Sequence, residues 1–422
     1  MITPPPLRND CFALPPGVDW VPVDVARARL RAAMAPVVGH EVLPLAACAG
    51  RILAVEATAP RAHPPVANSA VDGYGFAGPL PEGAADFSLL SGRAAAGGPY
   101  GGTVPPGAAL RILTGAILPP GVDTVAMQED VTRTGPHIAL QGPLKRGANA
   151  RAAGEDVRQG AAILPAGRRL QPQDLALAAA VGLAELPVFR RLKVGVLSTG
   201  DELVAPGGIP PEAMAPGRIF DANRPMLLAE LARWGFEPVD LGIAPDDRAR
   251  LRAHLEKAAG QVDALMTSGG VSTGDEDHVA AILRSEGQIE SWRIAIKPGR
   301  PLALGLWHGK PVFGFPGNPV AVMICALVFA RPALEVLAGG DWFEPQGFLL
   351  PAGFTKSKKP GRAEFLRARI AADGRVETFR SEGSGRISGL SWATGLVALD
   401  DGAREIAPGD PVRYLPFTGF DG

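Results

Sequence analysis

Between residues 191 and 340 the chain alternates strand-like and helix-like segments, and this constrains its fold more than any other feature. LKVGVLS, EPVDLGIA and VDALMTS read as strands; NRPMLLAELARWG, DDRARLRAHLEKAAG and EDHVAAILRSEG read as the helices that follow them. The second of these helices has an acidic first turn and a terminal glycine, which suit the two ends of its dipole. IESWRIAIKPG, PLALGLW and PVFGFPG follow as strands, then the long helical run NPVAVMICALVFARPALEVLAG. Alternation of this kind predicts a doubly wound, mostly parallel sheet with helices on both faces.

The flanks have a different texture. From about residue 60 to 147, short apolar runs (FSLLSG, ALRILTGAILPPG, DTVAMQEDV, HIALQG) are broken by glycine and proline, which predicts a small β-rich domain. Residues 23–51 carry a helical pattern and then a turn into GRILA; 151–182 run from loop into helix, with Gln171 and Pro172 before the helix start. From 341 onward EFLRARI, RVETFR, GLVALD and PVRYLPF read as strands of a separate small barrel or sheet. A chain of 422 residues is too long for one ordinary core, so several domains are expected.

Charge and cysteine content exclude several classes. The 42 basic and 43 acidic residues nearly cancel, so no chain-wide basic field points to nucleic acid. Cys11, Cys48 and Cys325 lie far apart and form no CxxC, which predicts a reduced, intracellular protein, by default cytoplasmic. The N-terminus lacks the apolar core of a signal peptide. The longest apolar stretch, 320–330, is too short to span a bilayer and reads as a buried helix, so no membrane is expected. No HxxxH or HxH spacing suggests zinc, and no GxSxG, phosphate-loop or GxGxxG signature occurs.

The pentapeptide STGDE occurs twice, at 198–202 and 272–276, each time just past a strand. Ligands bind at that end of the strands in open α/β sheets. With GIAPDD at 242–247, three loops bring Asp201, Glu202, Asp246, Asp247, Asp275, Glu276 and Asp277 to one edge. Helix capping by Asp246 or Asp275 accounts for individual acids. It does not account for seven together, whereas a divalent cation such as Mg2+ does. Gly269 and Gly270 would let backbone N–H groups approach a phosphate bridged by that cation to the acids.

Cations follow. In RIAIKPGRP, strand alternation places Arg293 on the same face as Ala295 and Lys297, and Lys297, Pro298, Gly299 and Arg300 then turn. This is either a solvated turn or an anion pocket beside the metal. Phe315, Pro316, Gly317, Asn318 and Pro319 form a rigid turn into the long helix, whose N-terminus could face an anion or simply start with proline where expected. Asp72 in NSAVDGY and Thr114 in RILTGAILPPG each read, taken alone, as turn chemistry.

Taken in order, NSAVDGYGF, RILTGAILPPG, AMQED, AGEDVRQG, VLSTGDELV, DANRPML, LGIAPDD, SGGVSTGDED, IKPGRPLALG and FPGNPV resemble the molybdopterin molybdenumtransferases, the molybdenum-inserting family that includes the enzymatic domain of gephyrin. The resemblance runs from about residue 23 to 417. It implies a multidomain α/β plus β chain: an elongated, helix-containing linker domain (20–60 with 147–182), a β-rich domain (61–146), an α/β molybdopterin-binding domain (183–340) and a C-terminal small β-barrel (341–422). It further implies a homodimer that inserts molybdate into adenylylated molybdopterin and releases AMP, with Mg2+ or a similar cation. Molybdopterin adenylyltransferase and molybdoenzyme chaperones would be further partners.

Carried over by motif, Asp72, Thr114, Glu202, Asp246, Asp277 and Lys297 match catalytic positions, and Asp156, Glu202, Asp246 and Asp277 the acidic set that handles metal. Gly269, Gly270, Ser272, Arg293, Arg300, Pro316 and Pro319 fall on the cofactor side, as do Arg362, Arg367, Ser384 and Arg386 of GRAEFLR and SEGSGR. Arg293 stands where a lysine is common, Ala321 where a serine often follows the PGNP turn, and the first twenty residues are unlike the usual start, which hints at a paralogue. Cys325, within an apolar helix, reads as packing. Two other readings remain open: a molybdopterin adenylyltransferase, which resembles the α/β domain alone, and a non-catalytic molybdopterin-binding scaffold.

Overall fold

The computed structural model describes residues 20–270, 278–299 and 302–421. Ser272, Asp275, Glu276, Asp277 and Arg300 therefore lie outside the described residues. Contacts divide the chain into a larger unit (Met1–Glu41, Gly50–Ala54, Phe189–Gly422) and a smaller one (Val42–Ala49, Val55–Val188).

The larger unit holds a sheet with strands in the order Glu237–Ala244, Lys193–Thr199, Ala264–Ser268, Lys310–Phe315, Leu302–Trp307, Gln288–Trp292. The first four are parallel and the last two antiparallel. Lys193–Thr199 and Ala264–Ser268 are almost wholly buried, as strands covered on both faces must be. Leu227 and Leu231 of helix Asn223–Arg233 cover one face; Leu251 and Leu255 of Arg248–Ala259 and Ile282 and Leu283 of His278–Glu286 cover another part of the core.

The run 319–337 is one continuous helical path, Pro319–Cys325, Ala326–Ala330 and Arg331–Leu337, with the middle segment in the wider π form. Pro332 offers no N–H and would crowd the carbonyl four residues back, so an opened turn just before it lets the helix continue. Among the described residues this is the one helix long and apolar enough to cross a membrane, and 94% of it is buried inside the protein. At Arg331, which is 0% exposed, its guanidinium pairs with Glu335 at 2.6 Å, donates to the Phe420 carbonyl at 2.9 Å and lies 4.3 Å from the Phe343 ring centroid.

One expected strand divides. IESWRIAIKPG leaves the central sheet at Trp292, because Val21 bridges Ile294 and exchanges backbone hydrogen bonds with Arg293 and Ala295. Ile296–Lys297 then pairs in parallel with Ala363–Ile370. The shared face expected for Arg293 and Ala295 is therefore not found: Arg293 is exposed and Ala295 is buried. Ile296–Lys297 becomes one edge of a sheet that continues through Ala363–Ile370, Gly395–Leu399, Pro411–Pro416 and Phe348–Pro351, with Val376–Thr378 paired to Ala363–Ile370. Its pairing is open among the described residues.

The smaller unit contains a six-stranded sheet in the order Thr124–Met127, Gly73–Phe76, Ala108–Ile112, Leu80–Ala94, His137–Leu144, Val131–Thr134. Phe76 and Phe87 meet in its core with ring centroids 4.7 Å apart. Its helix Pro172–Ala180 starts as the sequence suggests: Gln171 caps it, and Asp174 accepts the Gln171 N–H and both Arg168 donors at 2.9 Å. Burial pushes the Asp174 carboxyl up, but the Arg168 hydrogen bonds, the Gln171 N–H and the Arg168 charge together pull it lower, to a net depression. Stability from a depressed carboxyl is present above its unfolded value and lost as pH falls through its folded one. Asp174→Asn is expected to cost about 2 kcal/mol at pH 7, with the difference from the parent shrinking as pH falls below the ordinary carboxylate range; urea unfolding at several pH values checks it.

Candidate active site

The four parallel strands end side by side. Their register sets Thr199 against Ala244, Ser198 against Ser268, and Ser268 against Phe315, so the following loops leave from a common edge. Gly269 and Gly270 adopt φ of +94° and +66°, a region in which side-chain-bearing residues are strained. A Cβ on Gly269 would stand 2.6 Å from the Thr199 carbonyl oxygen, and one on Gly270 3.1 Å from Thr199 Oγ1. Only a glycine pair lets this turn lie directly on the end of the next strand. Buried Asn223 donates to Ser268 Oγ and to the Gly317 carbonyl, both at 2.7 Å, tying the glycine turn to the Pro316–Pro319 turn. Ser198 Oγ, Thr267 Oγ1 and Asn223 Oδ1 are buried at this edge with no hydrogen-bond partner among the described residues.

Two carboxylates are locked together beside the turn. The Asp201 N–H donates to Asp246 Oδ2 and the Asp246 N–H to Asp201 Oδ1, both at 3.1 Å. In this reciprocal brace one oxygen of each carboxylate accepts the other residue's backbone N–H. Glu202 is exposed, and its carboxylate occupies the space that a Cβ on Gly200 would need. Capping falls to a different acid from the one expected: Asp247, not Asp246, starts helix Arg248–Ala259, accepting the Arg250 N–H at 2.8 Å. Among the described residues no three His, Cys, Asp or Glu side chains gather as a metal-binding group. The Asp201–Asp246 pair still fits Mg2+, a hard cation that takes one or two carboxylates and fills its remaining positions with phosphate oxygens and water.

A second cluster forms where the C-terminal sheet borrows Ile296–Lys297. Lys297 Nζ lies 2.5 Å from Glu382 and 3.7 Å from Glu364; Lys356 Nζ lies 2.5 Å from Glu382 and 2.9 Å from Glu364. Lys297, Lys356 and Glu382, with Pro298, Val320, Phe365, Arg367 and Ser381, line a cavity of about 70 Å³. Burial pushes the Lys356 ammonium down, but Glu382 and Glu364 raise it further, to a net elevation. Arg367 is nearly buried, and its guanidinium donates to the carbonyls of Ser381, Gly383 and Arg386, bracing the SEGSGR loop. Ser384 is half-buried and Arg386 exposed, and the Ser384 carbonyl accepts the Val320 N–H at 3.2 Å, which places this loop over the turn holding Pro316 and Pro319. Arg362 is half-buried.

Cys325 is fully buried, donates to the Gly299 carbonyl at 3.5 Å, and its thiol is pushed up to about 12 by burial. It packs and does not react.

Asp72, Thr114 and Asp156 belong to the smaller unit. Asp72 accepts both the backbone N–H and the hydroxyl of Thr114 at 2.7 Å. Those bonds, the backbone one first, hold its carboxyl below the ordinary range against a small opposing effect of burial. Both side chains are exposed, as is Asp156. Sequence reasoning missed Lys356, Glu364, Glu382, Asn223 and Asp201's brace. The lysine–glutamate cluster joins partners as far as 85 residues apart and has no spacing signature.

Three family models cover most of the chain: the MoeA N-terminal region (domain I and II) at 21–182, the "Probable molybdopterin binding domain" at 195–336, and the MoeA C-terminal region (domain IV) at 350–417. A molybdopterin molybdenumtransferase of Haemophilus influenzae is 35% identical over 403 residues, covering 94% of this chain and 98% of that protein. Molybdopterin molybdenumtransferase 2 of Mycobacterium tuberculosis is 33% identical, covering 89% and 95% respectively. The crystal structure of a molybdopterin biosynthesis MoeA protein from Pyrococcus horikoshii superposes with a TM-score of 0.81 at 27% identity, over 94% of this chain and all of that one. With the strand-end edge, the β-rich smaller unit and the C-terminal sheet all present in one chain, these matches place it in the molybdopterin molybdenumtransferase family.

Proposed function

We propose that this chain is a transferase of molybdenum cofactor biosynthesis that inserts molybdate into adenylylated molybdopterin and releases AMP. The observation carrying this reading is the strand-end edge, where a glycine turn that admits a phosphate lies beside a braced carboxylate pair. Phosphate alone would be repelled by those acids, and a phosphate–cation pair would be welcomed. Asp201 and Asp246, with Glu202 beside them, would hold Mg2+, whose charge offsets that of the phosphoanhydride as its phosphorus–oxygen bond breaks. Asp277 is the further ligand that the family pattern implies at this edge.

The chain's own groups do the positioning. Gly270 would turn its backbone N–H to the pterin phosphate, while the Gly269 N–H is held by the Phe315 carbonyl at 3.0 Å and fixes the turn. Lys297, with Arg300 and Ser384, holds molybdate as a dianion until the two dithiolene thiols replace one of its oxygens, forming two molybdenum–sulfur bonds while that oxygen leaves with both thiol protons as water. Asp72, with one oxygen accepting both Thr114 donors, offers its other carboxylate oxygen as a preset acceptor. Water attacks the anhydride phosphorus and AMP and the pterin phosphate part, so no side-chain nucleophile is required; holding two anions within reach of each other supplies most of the acceleration. The active form in this reading is a cytoplasmic homodimer, supplied by molybdopterin adenylyltransferase and unloaded by molybdoenzyme chaperones.

Purified protein given adenylylated molybdopterin, molybdate and Mg2+ is expected to release AMP and form molybdenum-loaded pterin together. Pterin binding without AMP release would make it a scaffold; adenylylation of molybdopterin from ATP would make it the adenylyltransferase.

A further inference from the structure

Around the cavity beside Lys297, two lysines face two glutamates. With all four ionised these side chains cancel, and Arg367, the other cation lining the cavity, is committed to the carbonyls of Ser381, Gly383 and Arg386, so little is left to attract a dianion. One carboxylate must withdraw before the lysines can hold an oxyanion.

The two glutamates are not equivalent. Glu364 sits within the strand Ala363–Ile370, paired with Lys297 on one side and Leu399 on the other, and is 6% exposed. Glu382 lies on a loop, and its side chain is 43% exposed. The backbone around it is fixed, because Arg367 grips the carbonyls of Ser381 and Gly383 on either side. Its side chain can swing to water while the loop stays in place.

We propose that Glu382 is a displaceable counter-carboxylate that occupies the anion position of this site when substrate is absent, and that Lys356 is the second cation which, with Lys297, takes over a tetrahedral dianion once Glu382 leaves. This rests on the molybdate-handling reading of Lys297 given above and deepens it. Glu364 keeps the two ammonium groups together throughout. Glu382 thereby sets how strongly the site holds its anion: an internal competitor weakens binding and keeps the lysines apart from passing anions. The depressed Glu382 carboxyl, which burial raises but Lys297 and Lys356 lower further, accords with an ionised occupant.

The test is calorimetric titration of the full-length protein with molybdate and, separately, with inorganic phosphate. Glu382→Gln keeps the shape and removes the charge, and is expected to tighten binding of at least one anion about tenfold, the equivalent of one charge-assisted hydrogen bond no longer competed for. Lys356→Met is expected to weaken it by a similar factor. Tightening for molybdate assigns the site to that substrate; tightening for phosphate alone assigns it to the pterin phosphate, and both support the displacement. Unchanged affinity for both anions in Glu382→Gln overturns it, as does parental affinity in a folded Lys356→Met; should the lysine variant not fold, Glu382→Gln decides alone. AMP release by the parent protein is measured in parallel. Parental AMP release with unchanged anion affinity in the variant rejects this inference only, whereas no AMP release from the parent rejects the enzymatic reading.

Discussion

Gly269→Ala is expected to lower AMP release at least about 100-fold, because a displacement of about 1 Å in a positioning element costs that much. The reason is local. At φ +94° an alanine is strained, and its methyl would sit 2.6 Å from the Thr199 carbonyl oxygen, against backbone that cannot yield. The turn would lift off the neighbouring strand, straining the bond from the Gly269 N–H to the Phe315 carbonyl and displacing the Gly270 N–H. Gly270→Ala meets a hydroxyl and a valine methyl at 3.1 Å, which can shift, so its loss should be smaller. Single-turnover AMP release with far-ultraviolet circular dichroism on both variants separates a misplaced turn from an unfolded protein. Equal, mild losses in the two would remove the turn from the active site.

Arg331→Met is expected to destabilise the larger unit by about 3–5 kcal/mol, the cost of leaving a buried charge without its partner. Glu335 would lose its 2.6 Å partner, the Phe420 carbonyl its donor, and the Trp234, Phe236 and Phe343 rings their central cation. Changing Glu335 to leucine in the same chain should recover a large part of the loss, since an apolar pair leaves nothing uncompensated. Urea unfolding of the two single variants and the double variant measures this. An additive double variant would show that the pair contributes through independent contacts.

The parts of this structure legible in the sequence are those set by local pattern. Strand–helix alternation gave the central sheet because buried parallel strands must be apolar throughout, as Lys193–Thr199 and Ala264–Ser268 are. Gln171 and Pro172 announced the helix they start, and the placement of Asp201, Asp246 and Gly269 at strand ends followed from strand order alone. Pattern failed where distant segments decide. The apolar run IESWRIAI reads as one strand, yet Val21, over 270 positions earlier, draws Ile294 away and hands Lys297 to another sheet. The same transfer creates the Lys297–Lys356–Glu364–Glu382 cluster, which no spacing in the sequence foreshadows. Asp246 and Asp247 adjoin in sequence, and only geometry shows that one caps a helix while the other braces Asp201.

The claim beneath all of this is that carboxylates at the strand ends hold a cation against the phosphoanhydride. The most direct measurement is the Mg2+ dependence of AMP release by Asp246→Asn beside the parent. The amide preserves one oxygen for the Asp201 brace but loses the charge, so the Mg2+ concentration for half-maximal rate should rise about tenfold or more, for a loss on the order of 1.4 kcal/mol of cation binding. A variant that releases AMP with the parental Mg2+ dependence would contradict the account.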